Sequence, residues 1–275
     1  ASPARPPGAI GGEAVMRSRS LAACLTLVGQ AVFAQQGPDA SVLSLATPSG
    51  AVPTRVVHPA ARSPRASADN RPALFIGLHG FGIDETQVAT LMPLELSFDH
   101  TYLAPRGFFT LDDGTHGWFP IGVDDQGVAI DMRDAIAARD RLAEYIHAAV
   151  EATDAEPGRV YVVGYSQGGP MAIAMARRHP KAASAYVGLA GGVLPRVPPA
   201  DDAPANASAA LFIGHGTVER FTTAEQMSSH AQSIRDDGHD VTYRTYVGPH
   251  VVSSAMRRDG SAWRNALEAQ PAESP

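Results

Sequence analysis

A glycine-rich turn between a strand and a helix is the feature that most constrains the fold. Residues 164–168 read GYSQG, and they separate the β-branched run RVYVV at 159–163 from the helix-like run PMAIAMARR at 170–178. A serine on so sharp a turn adopts a strained backbone conformation, and side chains two positions to either side would collide with nearby chain. The strain exposes the hydroxyl of Ser166 at the end of the strand, which is typical of a nucleophile elbow.

Short apolar runs alternate with helical patterns over the rest of the chain. The predicted strands are residues 73–78, 101–105, 159–163, 185–190, 209–214 and 241–246. The predicted helices are residues 85–95, 130–152, 170–178, 222–236 and 251–268. This alternation favours an α/β fold, a mostly parallel, doubly wound sheet with helices on both faces. Two further runs, at 41–46 and 51–57, flank the turn residues TPSG and predict an N-terminal β-hairpin.

Composition and charge limit the class of protein. The chain has 275 residues, of which 44% are hydrophobic, and this is enough for the core of one α/β domain. The net charge is −6 and no lysine- or arginine-rich block stands out, so nucleic acid is not an expected partner. With Cys24 as its one cysteine, the chain has neither an internal disulfide framework nor a cysteine-based metal site.

The N-terminal region predicts a targeting segment. Residues 16–34 begin with the basic stretch MRSRS and continue as an apolar run that ends in small residues. This is the layout of a secretory signal peptide cleaved near Ala34, with a stray amphipathic helix as the alternative, and the run is short for a transmembrane helix. We therefore expect a secreted or periplasmic protein without stable membrane insertion. Residues 1–15 would be non-native or upstream sequence, and 35–275 a single domain.

Four candidate site residues each lie just after a predicted strand: Phe81, Ser166, Glu219 and His250. In open parallel sheets, ligands bind at the carboxyl ends of the strands, so these residues are expected to meet at one edge. A serine hydroxyl needs a base to accept its proton, and an imidazole can hold and return a proton near pH 7. The order serine, acid, histidine along the chain is that of α/β-hydrolases.

Seven sequence blocks make the resemblance narrower. They are LHGFG at 78–82, LAPRG at 103–107, WF at 118–119, GYSQGG at 164–169, GGVLP at 191–195, HGTVE at 215–219 and GPH at 248–250. With these blocks in the family's order, the chain resembles the phospholipase/carboxylesterase family of small serine esterases from residue 73 to about 255. The resemblance implies the α/β-hydrolase fold and a serine esterase that needs no cofactor and no metal.

The chain order and the resemblance together assign Ser166 as the nucleophile, His250 as the general base and Glu219 as the acid. The family pattern has an aspartate where this chain has Glu219. A glutamate is one methylene longer, and it can still orient the imidazole if its loop is set back. The alternatives are that Glu219 pairs with a neighbouring arginine or faces solvent. Asp201 and Asp202 would be its substitutes, but both precede their predicted strand.

The remaining site predictions concern binding of the substrate. The backbone N–H groups of Phe81 and Gln167 are expected to form the oxyanion hole. Trp118 is a candidate wall of the acyl pocket, with ordinary core packing as the alternative. Two other histidines, His79 and His215, are alternatives to His250 as the general base, and both are expected to have structural roles. Residues 106–128 are expected to form a long loop that lines the site, and the acid pairs within it are read as solvated rather than metal ligands.

Taken together, these features predict a carboxylesterase that hydrolyses short- to medium-chain esters of small molecules through an acyl-enzyme. One alternative keeps the same machinery and changes the substrate to a lysophospholipid, thioester, feruloyl ester or polyester, which fold resemblance does not separate. The other alternative is a hydrolase-fold protein that binds without turnover. The sequence leaves the oligomeric state open.

Overall fold

The computed structural model describes residues 40–57, 71–86, 100–124, 127–194 and 208–269. The strands in these ranges are β1 (Ala40–Leu45), β2 (Val52–Val57), β3 (Ala73–Leu78), β4 (His100–Pro105), β5 (Phe109–Thr110), β6 (His116–Gly117), β7 (Gly122–Asp124), β8 (Gly127–Ala129), β9 (Val160–Tyr165), β10 (Ala185–Leu189), β11 (Ala210–Gly216) and β12 (Asp240–Tyr246). The helices are α1 (Met132–Thr153), α2 (Gly168–Arg178), α3 (Ala224–Asp236) and α4 (Ser254–Glu268).

The centre of the fold is an eight-stranded sheet with the order β1-β2-β4-β3-β9-β10-β11-β12. Strand β2 is antiparallel to both of its neighbours, and every other pair from β4 to β12 is parallel. The predicted mostly parallel sheet is therefore confirmed. Because parallel strands end at the same edge, the loops after β3, β9, β11 and β12 come together there.

Helices cover both faces of the sheet. Strand β3 is buried along its whole length, with Leu74, Ile76 and Leu78 in one apolar cluster and Ala73 and Phe75 in a second. Side chains of α1, α2 and α3 join the first cluster, and those of α4 join the second. Successive side chains of a strand point to opposite faces, so a strand covered on both sides reads as a continuous apolar run. This is why the apolar run at 73–78 predicts a strand in the interior of the sheet.

The predicted N-terminal hairpin is confirmed as β1 and β2. They pair in antiparallel register, beginning with Ala40 opposite Val57, and a hydrogen bond from the N–H of Gly50 to the carbonyl of Thr47 closes the turn at 3.0 Å. Strand β2 also pairs with β4, and this pairing makes the hairpin an extension of the main sheet.

Three helices begin later than the periodicity predicts, because side-chain caps set the first residue. Helix α1 begins at Met132, where the carboxylate of Asp131 accepts a hydrogen bond from the N–H of Arg133. Helix α3 begins at Ala224, where Thr223 and Gln226 form a reciprocal capping box. Helix α4, predicted from residue 251, begins at Ser254, where the hydroxyl of Ser253 accepts a hydrogen bond from the N–H of Met256.

The segment at 106–128 is more ordered than the long loop that the sequence predicts. It contains the strand pair β5–β6 and most of the pair β7–β8, and both pairs are antiparallel. These strands have two or three residues each, too few for a periodic pattern to show in the sequence.

Several predictions fall outside the described residues. They concern the signal peptide at 16–34, most of the helix at 85–95 and the two acids Asp201 and Asp202. The division of the chain into leader, signal peptide and domain therefore stays a prediction.

The elbow turn depends on two glycines. A Cβ added at Gly164 would lie 1.9 Å from the carbonyl oxygen of Gly168, and one added at Gly168 would lie 2.2 Å from the carbonyl oxygen of Leu78. Both distances are far below van der Waals contact, and the obstructing atoms belong to the backbone. Strand β9, helix α2 and strand β3 therefore approach one another only because these positions lack a side chain, as the sequence pattern predicts.

A buried histidine fastens the end of β3 to the segment after β4. The Nδ1 atom of His79 is 2.7 Å from the carbonyl oxygen of Gly80, and its Nε2 accepts a hydrogen bond from the N–H of Gly107 at 2.7 Å. Because Nε2 accepts, the ring proton is on Nδ1 and the ring is neutral. Burial lowers the pKa of His79 to about 4. This is the structural role expected for His79.

We predict that Gly164→Ala lowers the free energy of unfolding by more than ~3 kcal/mol, because a backbone carbonyl must move to admit the methyl group. Urea unfolding followed by circular dichroism measures this loss. Gly158→Ala is the matched control, since an added Cβ there meets no atom within 4 Å. Equal unfolding midpoints for the two variants would contradict the prediction.

We also predict that His79 makes stability depend on pH between about 6.5 and about 4. Its pKa is lowered from 6.5 to about 4 on folding, so in this window the unfolded chain binds more protons than the folded protein. The free energy of unfolding therefore falls as the pH is lowered, by about 3 kcal/mol over the window. The contribution of His79 to stability is fully retained above about pH 6.5, the pKa of this side chain in the unfolded protein.

Urea unfolding at pH 7.5 and pH 4.5 measures this pH dependence. His79→Gln should lose less stability between the two values than the wild type, whereas His147→Gln, at an exposed position, should lose as much. A wild-type pH dependence in His79→Gln would show that other groups cause it.

Candidate active site

Ser166 lies on the turn between β9 and α2, where the sequence predicts it. Its φ is 53°, in the left-handed region of backbone conformation that non-glycine residues rarely adopt. Its N–H donates to the carbonyl of Leu189 at 3.0 Å. Helix α2 begins two residues later, at Gly168, so the positive end of its dipole lies beside the serine. The local fold therefore holds the hydroxyl at the carboxyl end of the sheet next to a source of positive potential.

The structure brings three predicted residues into one hydrogen-bonded row. The Oγ of Ser166 is 2.8 Å from Nε2 of His250, and Nδ1 of His250 is 2.5 Å from Oε2 of Glu219. The side chain of His250 is 12% exposed and that of Glu219 is 2% exposed. A hydroxyl, an imidazole and a carboxylate in this order can pass a proton away from the oxygen.

The loops after β11 and β12, which carry the carboxylate and the imidazole, are joined through the main chain. The N–H of Thr217 donates to the carbonyl of Tyr246 at 2.8 Å, and the N–H of Val218 donates to that of Gly248 at 3.0 Å. The pairing of β11 with β12 thus continues beyond the strands. It fixes where the carboxylate of Glu219 lies relative to the imidazole of His250.

The longer side chain of Glu219 is accommodated without exposure. One carboxylate oxygen contacts His250, and the other accepts the N–H of Gly216 at 3.4 Å. The side chain is almost fully buried, and this geometry disfavours the alternative in which it faces solvent.

The two predicted oxyanion donors lie on the loops that flank Ser166. A Cβ added at Gly80 would be 3.0 Å from Cβ of Ser166, so the loop carrying Phe81 runs directly over the serine. Within the described residues, the backbone N–H groups of Phe81 and Gln167 donate to no protein acceptor. The N–H of Gly82, next along the chain, is already bonded to a carbonyl.

The side chain of Gln167 has a role that the sequence does not reveal. Its Oε1 accepts the N–H of Trp118 at 2.8 Å, and its Nε2 donates to the carbonyl of Phe119 at 2.8 Å. An amide can satisfy a backbone donor and a backbone acceptor at once. The residue after Ser166 is thereby tied to the segment that follows β6.

Trp118 is buried rather than open to a pocket. It is 1% exposed, its indole N–H donates to the carbonyl of His79 at 2.8 Å, and its ring meets that of Phe108 edge-on at 5.3 Å. This placement favours core packing, the alternative to a wall of the acyl pocket.

An ion pair that the sequence does not reveal holds the loop that carries Phe81 from its other end. Nε and Nη2 of Arg106 donate to the carboxylate of buried Glu85 at 2.5 to 3.1 Å, and the N–H of Gly82 donates to the carbonyl of His116 at 2.9 Å. Burial is the largest single effect on Glu85 and raises its pKa, but the hydrogen bonds from Arg106, a backbone hydrogen bond and the charge of Arg106 together outweigh it, so its pKa lies below the usual value. The carboxylate is therefore charged at neutral pH.

Two aromatic rings lie beside the imidazole of His250. The ring of Tyr165 lies 5.6 Å from that of His250, and the ring of Phe221 meets it edge-on at 5.4 Å. Burial, with a contribution from the charge of Glu219, raises the pKa of Tyr165 to about 12, so its hydroxyl keeps its proton.

His215 is buried, and its Nε2 lies 3.1 Å from the carbonyl oxygen of Thr222. This contact is the structural role expected for His215.

Sequence reasoning missed Phe221. The available signal was its position two residues after Glu219 on the same loop.

Two other kinds of site are not found in the described part of the chain. No group of three or more His, Cys, Asp or Glu side chains in it is placed to hold a metal ion. None of its helices is long and apolar enough to cross a membrane.

Solved structures with the same fold include two carboxylesterases. That from Bacillus cereus superposes with a TM-score of 0.63 at 19% identity, covering 78% of this chain and 94% of its own. That from Mesorhizobium loti has a TM-score of 0.63 at 19% identity, covering 83% and 99%. At this identity the likeness shows the fold, and no curated protein matches the sequence significantly.

The sequence itself gives the family. The phospholipase/carboxylesterase family model matches residues 63–258, a range that includes the serine, the histidine and the carboxylate of the hydrogen-bonded row. The chain therefore belongs to the phospholipase/carboxylesterase family, and it is a carboxylic ester hydrolase.

Proposed function

We propose that the protein is a serine carboxylesterase that acts on short- to medium-chain esters through an acyl-enzyme, with Ser166, His250 and Glu219 as its catalytic triad. The observation that carries the proposal is the unbroken row of contacts from Oγ to Nε2 at 2.8 Å and from Nδ1 to the carboxylate at 2.5 Å. Ionised carboxylates accept hydrogen bonds only, so the Nδ1 of His250 carries the ring proton. Its Nε2 is then left to accept the proton of the serine hydroxyl.

The first half of the reaction transfers the acyl group. Oγ of Ser166 attacks the ester carbonyl carbon while Nε2 of His250 takes the proton. The carbonyl oxygen becomes an oxyanion that the N–H groups of Phe81 and Gln167 stabilise, with the positive end of α2 nearby. Glu219 stabilises the imidazolium that forms. The tetrahedral species then collapses, its bond to the alcohol oxygen breaks, and His250 protonates that oxygen.

The second half of the reaction is the same relay with water as the nucleophile. His250 takes a proton from water, the hydroxide attacks the acyl carbon, and collapse returns the proton to Oγ of Ser166 as the acid leaves. Every proton is returned, so the cycle needs no cofactor.

The substrate range is proposed from the sequence. The run of residues left for a lid is short, and this favours short or soluble esters over bulk lipid. Lysophospholipids, thioesters, feruloyl esters and polyesters could use the same machinery. A protein that binds without turnover is disfavoured, because it has no need for the buried carboxylate behind His250. Export of the protein is a separate proposal that depends on residues 16–34 alone.

We predict that a fluorophosphonate probe labels the folded wild-type protein and that Ser166→Ala abolishes labelling. The same change should lower kcat for a p-nitrophenyl ester by about 10³-fold or more, because the nucleophile is lost. Gel fluorescence and initial rates measure the two effects. Ser228→Ala, an exposed serine on α3, is the control and should behave as the wild type. Absence of labelling in the folded wild type would refute the catalytic proposal.

We predict that Glu219→Gln folds normally and loses most of kcat, by about 10⁴-fold, because an amide can hold the wrong tautomer of His250. Glu219→Ala should lose activity to a similar degree. Melting temperature and kcat for p-nitrophenyl esters of graded acyl length measure stability and activity. Turnover near that of the wild type in either variant would place the acid elsewhere in the chain.

A further inference from the structure

We infer that the alcohol part of the ester binds in a cavity beside His250, where Phe221 and Glu225 select its size and charge; this inference rests on the proposed function. The cavity has a volume of about 510 Å³ and opens to solvent. The residues that line it come from the loop after β10, the loop after β11 and the first turns of α3: Val193, Phe221, Thr222, Glu225, Gln226 and Ser229.

Phe221 connects the cavity to the reacting atoms. Its ring meets that of His250 edge-on at 5.4 Å, and the same side chain lines the cavity. It is 38% exposed, so a ligand in the cavity can contact its ring. A group that binds in the cavity against Phe221 therefore contacts a side chain that also contacts the imidazole.

The chemistry of the reaction decides which part of the ester lies there. The carbonyl oxygen must point to the N–H groups of Phe81 and Gln167, whereas the alcohol oxygen must lie within reach of Nε2 of His250, which protonates it. The alcohol therefore leaves on the side of His250. Phe221 borders that side, so the cavity beyond it is placed for the alcohol part rather than for the acyl chain.

The lining defines the class of alcohol. Val193 and Phe221 present an apolar surface, and the polar side chains lie on α3. Glu225 is exposed and charged, since its own N–H and the hydroxyl of Thr223 hold its pKa below the usual value. None of the residues that line the cavity is basic. The site therefore fits an alcohol with an apolar part next to the ester oxygen and a neutral or cationic end, and it disfavours an anionic one.

Acetate esters of four alcohols test the inference with the acyl group held constant: methyl, 3,3-dimethylbutyl, its trimethylammonium analogue, and a carboxylate analogue. For the wild type, kcat/KM is compared with its value for the neutral dimethylbutyl ester. The lowest ratio is expected for the carboxylate ester. Phe221→Ala should lower the ratio of kcat/KM for the dimethylbutyl ester to that for the methyl ester about tenfold. Glu225→Gln should lower the ratio for the cationic to the neutral ester about threefold.

Leu43→Ala is the matched control. Leu43 is 39% exposed, close to the exposure of Phe221, and lies on β1 at the opposite edge of the sheet. Its ratios should equal those of the wild type. Ethyl acetate and ethyl hexanoate supply the comparison of acyl groups, and their ratio should not change in Phe221→Ala. Should Phe221→Ala fail to fold, Phe221→Leu should show a smaller shift in the same direction.

The outcomes separate this inference from the proposed function. Absence of fluorophosphonate labelling in the folded wild-type protein would refute the proposed function itself. Normal labelling with unchanged alcohol ratios in Phe221→Ala and Glu225→Gln would refute the alcohol site alone. A change in the acyl ratio instead would assign the cavity to the acyl chain and overturn the inference.

Discussion

The left-handed backbone at Ser166 is the constraint on which the rest of the site depends. A φ of 53° turns the chain so sharply that β9 and α2 nearly touch, and Gly164 and Gly168 supply the space that this requires. A non-glycine residue in this region costs of order 1 kcal/mol or more, and it persists only because the packed sheet and helix hold it. The same turn aims the hydroxyl outward and places the start of α2 behind it, so one strained residue sets the position of both the hydroxyl and the positive end of the helix.

The sequence was most informative where the signal is local. Strand β3 is covered on both faces, so its apolar run is unbroken, and the elbow glycines have a steric role that any chain with this turn must satisfy. The fold class, the hairpin and the strands of the main sheet from β3 to β12 could therefore be predicted. Ser166, Glu219 and His250 could be proposed because each follows a strand whose end lies at the same edge of a parallel sheet.

The parts that could not be predicted are held by contacts between distant residues. Gln167 bonds to Trp118 and Phe119, and Glu85 bonds to Arg106. Neither pairing leaves a periodic or compositional trace, because a long-range hydrogen bond depends on how loops pack. Trp118 shows the same limit from the other side. Its sequence position suggested a pocket, but the bond of its indole to the carbonyl of His79 directs it inward.

The main-chain bonds that join the loops after β11 and β12 have a mechanical consequence. They make the carboxylate and the imidazole parts of one rigid unit at one end of the sheet, whereas the serine is anchored on β9, two strands from β11. A change in twist or shear between β9 and β11 therefore alters the distance from serine to imidazole and leaves that from imidazole to carboxylate unchanged. The contact between the serine and the imidazole is thus the one that a distortion of the sheet would alter, and it depends on the pairing of β10 with its two neighbours.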